Sequence, residues 1–304
     1  MARGRAEAAQ ASAVPQQRAE PRPVHQPLRD DDPRHIDRYR LTGRLGEGGM
    51  GTVYLGRSPG ERLVAVKVVR TELAADPTFR RRFGREIEAA RRVGGFHTAS
   101  VVAADPDGEP PWLVTEYIPG PSLHDVLRRH GALPAKTVQT LAIGVAEGLE
   151  GIHACGIVHR DLKPSNIIVS DTGPRVIDFG IARALDGTSI TRTNFVIGTQ
   201  GFLAPEQLTG APVTFATDVY AFGMVLCHAA GAMPLADGES LASVLAMLPS
   251  HLSELVTRCL DHDPTRRPTP TEVVAQLSGR GSSSGDWLPP PVRTMVDVHN
   301  ASTV

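Results

Sequence analysis

Apolar and polar residues alternate from Tyr39 to Leu45, and the alternation runs straight into a glycine-rich stretch, Gly46-Glu47-Gly48-Gly49-Met50-Gly51. Period-two patterning predicts a half-buried strand. The segment Thr52 to Arg57 predicts a second strand, Ser58-Pro59-Gly60-Glu61 a tight turn, and Arg62 to Arg70 a third strand. Asp76-Pro77 then opens a helix, since Asp caps N-termini well and Pro suits the first helical position. Phe79, Phe83, Ile87, Ala90 and Val93 follow at spacings of 4, 4, 3 and 3, which places them on one face. Trp112 to Tyr117 predicts a further strand. From Ser122 onward helical periodicity dominates, interrupted by loop segments between His159 and Glu206. A strand-rich first part followed by a helix-rich second part predicts an α+β protein of two lobes.

The flanks lack this patterning. Residues 1–36 are rich in Ala, Arg, Pro and Gln, with an acidic run at Asp30-Asp31-Asp32, and predict a disordered N-terminal tail. Residues 278–304 carry GRGSSSG and a proline run at 289–291 and predict a flexible C-terminal tail, in which Trp287 and Leu288 are the residues suited to docking. The folded part is expected over 37–277.

With 304 residues and 41% hydrophobic content the chain can fill a sizeable core. A net charge of −1 argues against nucleic acid or an anionic membrane as partner. The cysteines at 155, 227 and 259 form no CxxC pair, which excludes a Cys-based zinc site and fits a reducing, cytoplasmic setting. No apolar run approaches the ~18 residues of a membrane span, and the first 20 residues lack the apolar core of a secretory signal. One count changes the picture more. Of 32 basic residues only Lys67, Lys136 and Lys163 are lysine. In a chain so given to arginine, a lysine marks a place where a compact ammonium serves and a planar guanidinium does not. Lys136 falls in no motif and reads as a solvated helix residue; the other two fall in motifs.

GxGxxG occurs in dinucleotide-binding βαβ units, but those need a helix straight after the glycines, and here a strand follows. A Walker loop would need GK[ST] where this chain has GTV. A glycine-rich hairpin can instead lay its backbone amides over a triphosphate. Lys67 ends VAVK on the third strand. A carboxylate on the following helix would aim its ammonium at phosphate oxygens; Glu86, beside the apolar stripe, is the first candidate, and Glu88, at a more exposed angle, the second. HRDLKPSN, residues 159–166, gathers an Asp161 that can accept the proton of an attacking hydroxyl, a Lys163 that can neutralise a transferring phosphoryl group and an Asn166 that can ligate Mg²⁺. Asp178-Phe179-Gly180 follows a short predicted strand and offers Asp178 as a second metal ligand.

Taken in order, GEGGMGTV, VAVK, the helical glutamate, HRDLKPSN, DFG, GT followed by APE, and DVYAFG resemble the signature series of the protein kinase superfamily, and among its members the eukaryotic-like serine/threonine kinases of bacteria. The resemblance covers about 39–277. It implies a two-lobed fold with a small β-rich N-lobe carrying one key helix (about 37–117) and a larger α-helical C-lobe (about 118–277). It implies ATP as phosphoryl donor, Mg²⁺ as metal with Mn²⁺ as a substitute, and Ser/Thr hydroxyls of proteins as acceptors. The loop Leu45, Gly46, Glu47, Gly48, Gly49, Met50, Gly51, Thr52 and Val53 would cover the nucleotide, with Lys67 paired to Glu86. Thr115 would guard the back of the adenine pocket, Glu116 to Ile118 would form the hinge, and Leu45, Val53, Ala65 and Ile168 its apolar walls. Lys163 and Thr199 match residues that favour Ser/Thr acceptors, Asp218 an anchor of the catalytic loop, and Arg267 a partner of Glu206. Phe202 stands where the family often has Tyr, and the stretch from Asp218 to Arg267 is short.

Between DFG and APE, Thr191 and Thr193 resemble the paired threonines phosphorylated in bacterial members, with Arg160 as phosphate receptor and Arg80, Arg81, Arg82 and Arg85 as a second one. A homodimer for trans-autophosphorylation is implied on the same ground. A pseudokinase-like scaffold that binds ATP is the alternative, and it would lack the Lys, Asp or DFG residues present here. A small-molecule phosphotransferase of the aminoglycoside type would lack HRDLKPSN and APE.

Overall fold

The computed structural model describes residues 25–179, 200–231, 243, 245–278 and 287–301. A six-stranded antiparallel sheet builds the first lobe from β1 (His35–Ile36), β2 (Tyr39–Glu47), β3 (Gly51–Arg57), β4 (Leu63–Val69), β5 (Val101–Asp105) and β6 (Trp112–Glu116) in the order β1-β2-β3-β4-β6-β5. The short α1 (Thr71–Ala74) leads into α2 (Pro77–Ala90), whose Asp76 cap accepts from the Thr78 amide. The predicted stripe is what α2 buries: Phe79, Phe83 and Ile87 pack with Met50, Val69, Leu73 and Leu113 on one face of the sheet. On the opposite face Tyr39, Leu41, Tyr54, Val64, Val66 and Val114 form a second core with Ile36. Strand alternation therefore sorts β4: Val64 and Val66 go to that second core, while Ala65 and Lys67 face the other way.

The second lobe is helical. It contains α3 (Leu123–His130), α4 (Ala135–Ala154), α5 (Pro205–Thr209), α6 (Phe215–Ala229), α7 (Ser250–Cys259), α8 (Pro270–Ser278) and α9 (Pro290–Ala301), with a hairpin of β7 (Ile167–Ser170) and β8 (Gly173–Val176). α4 buries Val138, Leu141, Ala142, Val145, Leu149 and Ile152, the inward face of a helical repeat. α6 is buried nearly all round, from Thr217 to Cys227, so it runs through the lobe's core. Burial there pushes the thiols of Cys227 and Cys259 up to about 12, so both stay protonated at neutral pH. The α+β, two-lobed architecture is the one the sequence predicts.

Both expected tails need correction. Residues 25–36 pack against the sheet: Gln26 bridges to Arg44, and the Asp32 carboxylate lies 3.0 Å from Arg44 Nε and accepts from the Tyr54 hydroxyl at 2.7 Å. Arg44 sits on a covered strand face, so the acidic run supplies its counter-charge. Burial alone would raise the Asp32 carboxyl, but the Arg29 amide, the Tyr54 hydroxyl and the Arg44 charge hold it below its ordinary value. At the other end, Trp287, Leu288, Val292 and Val296 are buried in the second lobe's core. The proline run starts α9 instead of keeping the chain extended, and Val292, Met295, Val296 and His299 recur at helical spacing.

Candidate active site

A cleft of about 600 Å³ opens between the sheet and the helical lobe. Its floor is the loop 159–166, and the chain fixes that loop with one buried carboxylate. Asp218, in the first turn of α6 and 1% exposed, accepts the backbone amides of His159 (2.7 Å) and Arg160 (2.8 Å) and contacts His153 Nε2 at 2.8 Å. His159, fully buried, donates from Nε2 to the Ile177 carbonyl at 3.1 Å and takes the Asp161 amide on Nδ1 at 3.4 Å. Arg160 and Asp178 both lie in the left-handed region, with φ of 70° and 59°. Non-glycine residues hold that conformation only where their surroundings over-determine it, and here the residues concerned flank the floor of the cleft.

Three side chains meet on this floor. Lys163 Nζ lies 2.7 and 3.0 Å from the two Asp161 carboxylate oxygens. The Asn166 amide donates to the Asp161 carbonyl at 2.7 Å and to Asp161 Oδ2 at 3.2 Å. Because Asn166 donates with its nitrogen, its carbonyl oxygen could serve a hard cation. From the roof, Lys67 Nζ reaches across to Asp178 Oδ2 at 3.2 Å. The sequence expects Lys67 to pair with Glu86; the ion pair it makes here is with Asp178 instead. Glu86 is half-buried on α2 and has contacts of its own. Asp178 stands at the end of a strand directly across the cleft and competes for the same ammonium, which the sequence spacing alone does not reveal.

The glycine-rich loop forms the outer roof. Leu45, Gly46, Glu47, Gly48, Gly49, Met50, Gly51 and Val53 line the cleft. Thr52 is the exception. On β3 it alternates with Val53 and shares the Tyr54 side of the strand, so it points away. Met50 is also a core residue, packed under α2 and 7% exposed, so it pins the loop as well as lining it. Ala65, Thr115, Glu116, Ile118 and Ile168 complete the expected wall, and β4 pairs with β6 so that Ala65 sits opposite Thr115 and Lys67 opposite Leu113. Tyr117 belongs to the same wall, and burial pushes its phenol up to about 12. The cleft also takes in Leu113, Ser122, Asp125, Ile177 and His299, which lie outside the motifs, and Ser165, to which the HRDLKPSN motif assigns no role. Leu113 was within reach of sequence reasoning, because it lies two positions before Thr115 on the same strand.

Glu206 and Arg267 form a buried bidentate pair at 2.6 and 2.9 Å, supported by the Thr217 hydroxyl at 2.9 Å. Burial alone would raise the Glu206 carboxyl; the Arg267 guanidinium and the Thr217 hydroxyl hold it below its ordinary value. Gly180, Thr191, Thr193 and Thr199 lie outside the described residues. Among the described residues no helix is long and apolar enough to cross a membrane.

The family model for the protein kinase domain matches residues 39–277. A probable serine/threonine-protein kinase of Thermomonospora curvata, PkwA, is 50% identical over 281 residues, covering 89% of this chain and 38% of that protein. The serine/threonine-protein kinase AfsK of Streptomyces coelicolor is 47% identical over 281 residues, covering 86% of this chain and 35% of its own length. This chain thus spans well under half the length of these relatives. The crystal structure of the Mycobacterium tuberculosis PknI kinase domain superposes with a TM-score of 0.65 at 28% identity, covering 81% of this chain and 98% of that one. The protein kinase family uses ATP and a divalent metal. With the motifs in order, the two lobes formed and the matched segment spanning both, the chain belongs to the protein kinase family.

Proposed function

We propose that the chain is an ATP-dependent protein serine/threonine kinase that transfers the γ-phosphoryl group of Mg·ATP to Ser/Thr hydroxyls of proteins, itself included. The observation that carries this reading is Asp161, held between Lys163 and Asn166 on a loop anchored by Asp218, with Asp178 beside the same floor and Lys67 reaching Asp178 from across the cleft.

In this reading Asp161 orients the acceptor hydroxyl and takes its proton as the oxygen attacks phosphorus. Lys163, already on Asp161, balances the negative charge that gathers on the phosphoryl oxygens. Lys67 holds the α- and β-phosphates, so nucleotide entry exchanges its contact with Asp178 for phosphate oxygens. Asn166 and Asp178 offer two oxygen donors, a set that suits a small hard cation that completes its shell with water and phosphate. That cation, Mg²⁺ in this proposal, supplies charge neutralisation between the β- and γ-phosphates. The hinge backbone from Glu116 to Ile118 takes the adenine edge. Positioning and electrostatics then carry the rate.

Proteins with Ser/Thr acceptors are the proposed substrates and a second copy of the chain is the proposed partner for trans-autophosphorylation at Thr191 and Thr193, with the cytoplasm as its place. The test is ³²P transfer from ATP to the chain and to a generic basic protein. The wild type labels both, and Asp161→Asn labels neither. Equal labelling by the Asp161→Asn variant overturns the reading. Mass spectrometry of the ATP-treated wild type checks Thr191 and Thr193 separately.

A further inference from the structure

The matched kinase segment ends at residue 277, yet the cleft does not. His299 lines it, as do Ser122 and Asp125 at the start of α3, and it arrives there on α9, beyond the last residue of the matched segment. Three observations show that α9 is built into the lobe. The Thr137 hydroxyl at the start of α4 donates to the Trp287 carbonyl at 2.9 Å in a buried contact. Val292 and Val296 are 2% and 1% exposed within the same core as α3 and α4. The helix packs along α3, so its last turn comes to the lip of the cleft. The twelve residues of α9 span about 18 Å between the Trp287 anchor and the turn that carries His299. On the last turn His299 Nδ1 donates to the Met295 carbonyl at 2.9 Å, which sets the ring's orientation on the helix.

The position within the cleft says what His299 would meet. Lys67, Asp161 and Asp178 mark the phosphate end, and the strand end at Thr115 to Ile118 marks the base end. A nucleotide spanning the two would place its sugar between them, and the start of α3, with Ser122 and Asp125, and the end of α9, with His299, supply the lining residues left for it. An imidazole there can hydrogen-bond a sugar hydroxyl. We propose that α9 is part of the nucleotide site, and that His299 is a positioning residue for the ribose of ATP held in place by the docking of Val292 and Val296. This rests on the reading of the cleft as the ATP site.

The test uses the full chain and steady-state phosphorylation of a generic basic protein. His299→Ala is expected to raise the KM for ATP about 5-fold, the loss of roughly one hydrogen bond, with kcat, the KM for the protein substrate and the thermal midpoint little changed. His299→Gln, which keeps a hydrogen-bonding group, recovers most of that loss. Wild type prefers ATP over 2′,3′-dideoxy-ATP, and His299→Ala narrows the preference. Val296→Asp, which undocks α9, raises the KM for ATP by a similar factor, and the double variant adds nothing to either single change. Should Val296→Asp fail to fold, the His299 pair decides alone. A KM for ATP in His299→Ala within 1.5-fold of wild type, or an equal loss for ATP and the dideoxy nucleotide, overturns the proposal. Lys67→Met run in parallel separates this failure from that of the ATP-site reading: if it too leaves turnover intact, the cleft assignment itself is wrong.

Discussion

The catalytic loop and the glycine-rich loop face each other across one cleft and are held in opposite ways. Residues 159–166 are fastened from beneath by Asp218, which is almost wholly buried and accepts two backbone amides. The glycine-rich loop is pinned at the buried Met50, whose carbonyl accepts the Arg70 amide at 2.9 Å, while residues 46–49 are exposed. The buried Arg44, tied to Asp32, reaches Glu47 at 3.4 Å, and at the surface Arg70 reaches the other Glu47 oxygen at 3.3 Å. Exposed pairs of that kind contribute little, while buried amide–carboxylate contacts are lost only at a large penalty. The floor of the site is therefore fixed and its roof adjustable. The phosphoryl transfer proposed for this cleft needs that division, because its proton acceptor would have to stand still while a large nucleotide enters and leaves.

The difference is broken most severely at Asp218. Asp218→Asn replaces one acceptor oxygen by a donor facing backbone amides, so the floor shifts. A displacement of about 1 Å at a reacting centre costs on the order of 100-fold, and kcat is expected to fall at least that far, with ~2 kcal/mol lost from stability. Kinetics together with hydrogen exchange at the His159 and Arg160 amides checks it. Unchanged protection of those amides would show that the loop is held by something else.

The second-largest effect lies at Glu206, below the floor. Glu206→Gln breaks a buried pair with Arg267 and is expected to destabilise the chain by about 3 kcal/mol in urea unfolding at pH 7. The pH dependence has a definite sign. The folded Glu206 carboxyl lies below its ordinary value, so its contribution is complete above the ordinary glutamate range, near ~4.3, and is lost as pH falls through the depressed folded value. The wild type should lose stability through that acid window more steeply than Glu206→Gln. Parallel slopes would contradict the assignment.

The two loops also differ in how far the sequence revealed them. The catalytic loop was legible because its chemistry is packed into eight consecutive residues. Its support was only half so: Asp218 came with a motif, but His153, which shares that carboxylate, follows no pattern that sets it apart from other helix residues. In the sheet, the resemblance supplied Ala65 and also Thr52, while period-two alternation, applied strictly, keeps Ala65 and Lys67 on one face and excludes Thr52. What sequence patterning could not supply were contacts between distant segments. The Lys67–Asp178 pair joins positions on two lobes. Asp32 looked like part of a solvated acidic run until its partner Arg44 was known. His299 lay in a stretch whose prolines and glycines signalled a tail, and only the docking of Val292 and Val296 turns it into a wall of the cleft.

On the roof, Lys67→Arg tests whether adjustability extends to side-chain shape. The guanidinium keeps the charge but is broad and planar, and it must fit where a compact ammonium now stands 3.2 Å from Asp178. Phosphoryl transfer is expected to drop roughly 50-fold, while the thermal midpoint stays within about 2 °C of wild type because the residue is not part of either hydrophobic core. A rate within tenfold of wild type, in folded protein, would show that Lys67 is not the phosphate ligand.

The smallest expected effect sharpens the comparison inside the roof itself. Gly49 and Gly51 are two positions apart and look alike in sequence, yet they meet different surroundings. A Cβ on Gly51 would strike the Val68 carbonyl across the β3–β4 ladder, so that glycine serves the close approach of two backbones. A Cβ on Gly49 meets no other atom nearby, on the loop that arches over the cleft. Gly51→Ala is therefore expected to lose ~2 kcal/mol of stability, since the strand must shift to admit the methyl group. Gly49→Ala should leave stability within about 0.5 kcal/mol, because the added methyl only reduces the freedom of the unfolded chain. It should nonetheless raise the KM for ATP by about threefold, as the methyl enters the space the phosphates need. Urea unfolding and ATP titration of the two variants measure both quantities. If Gly49→Ala destabilises the fold as much as Gly51→Ala does, the loop is packed rather than open, and the division between a fixed floor and an adjustable roof fails at the place where it is easiest to see.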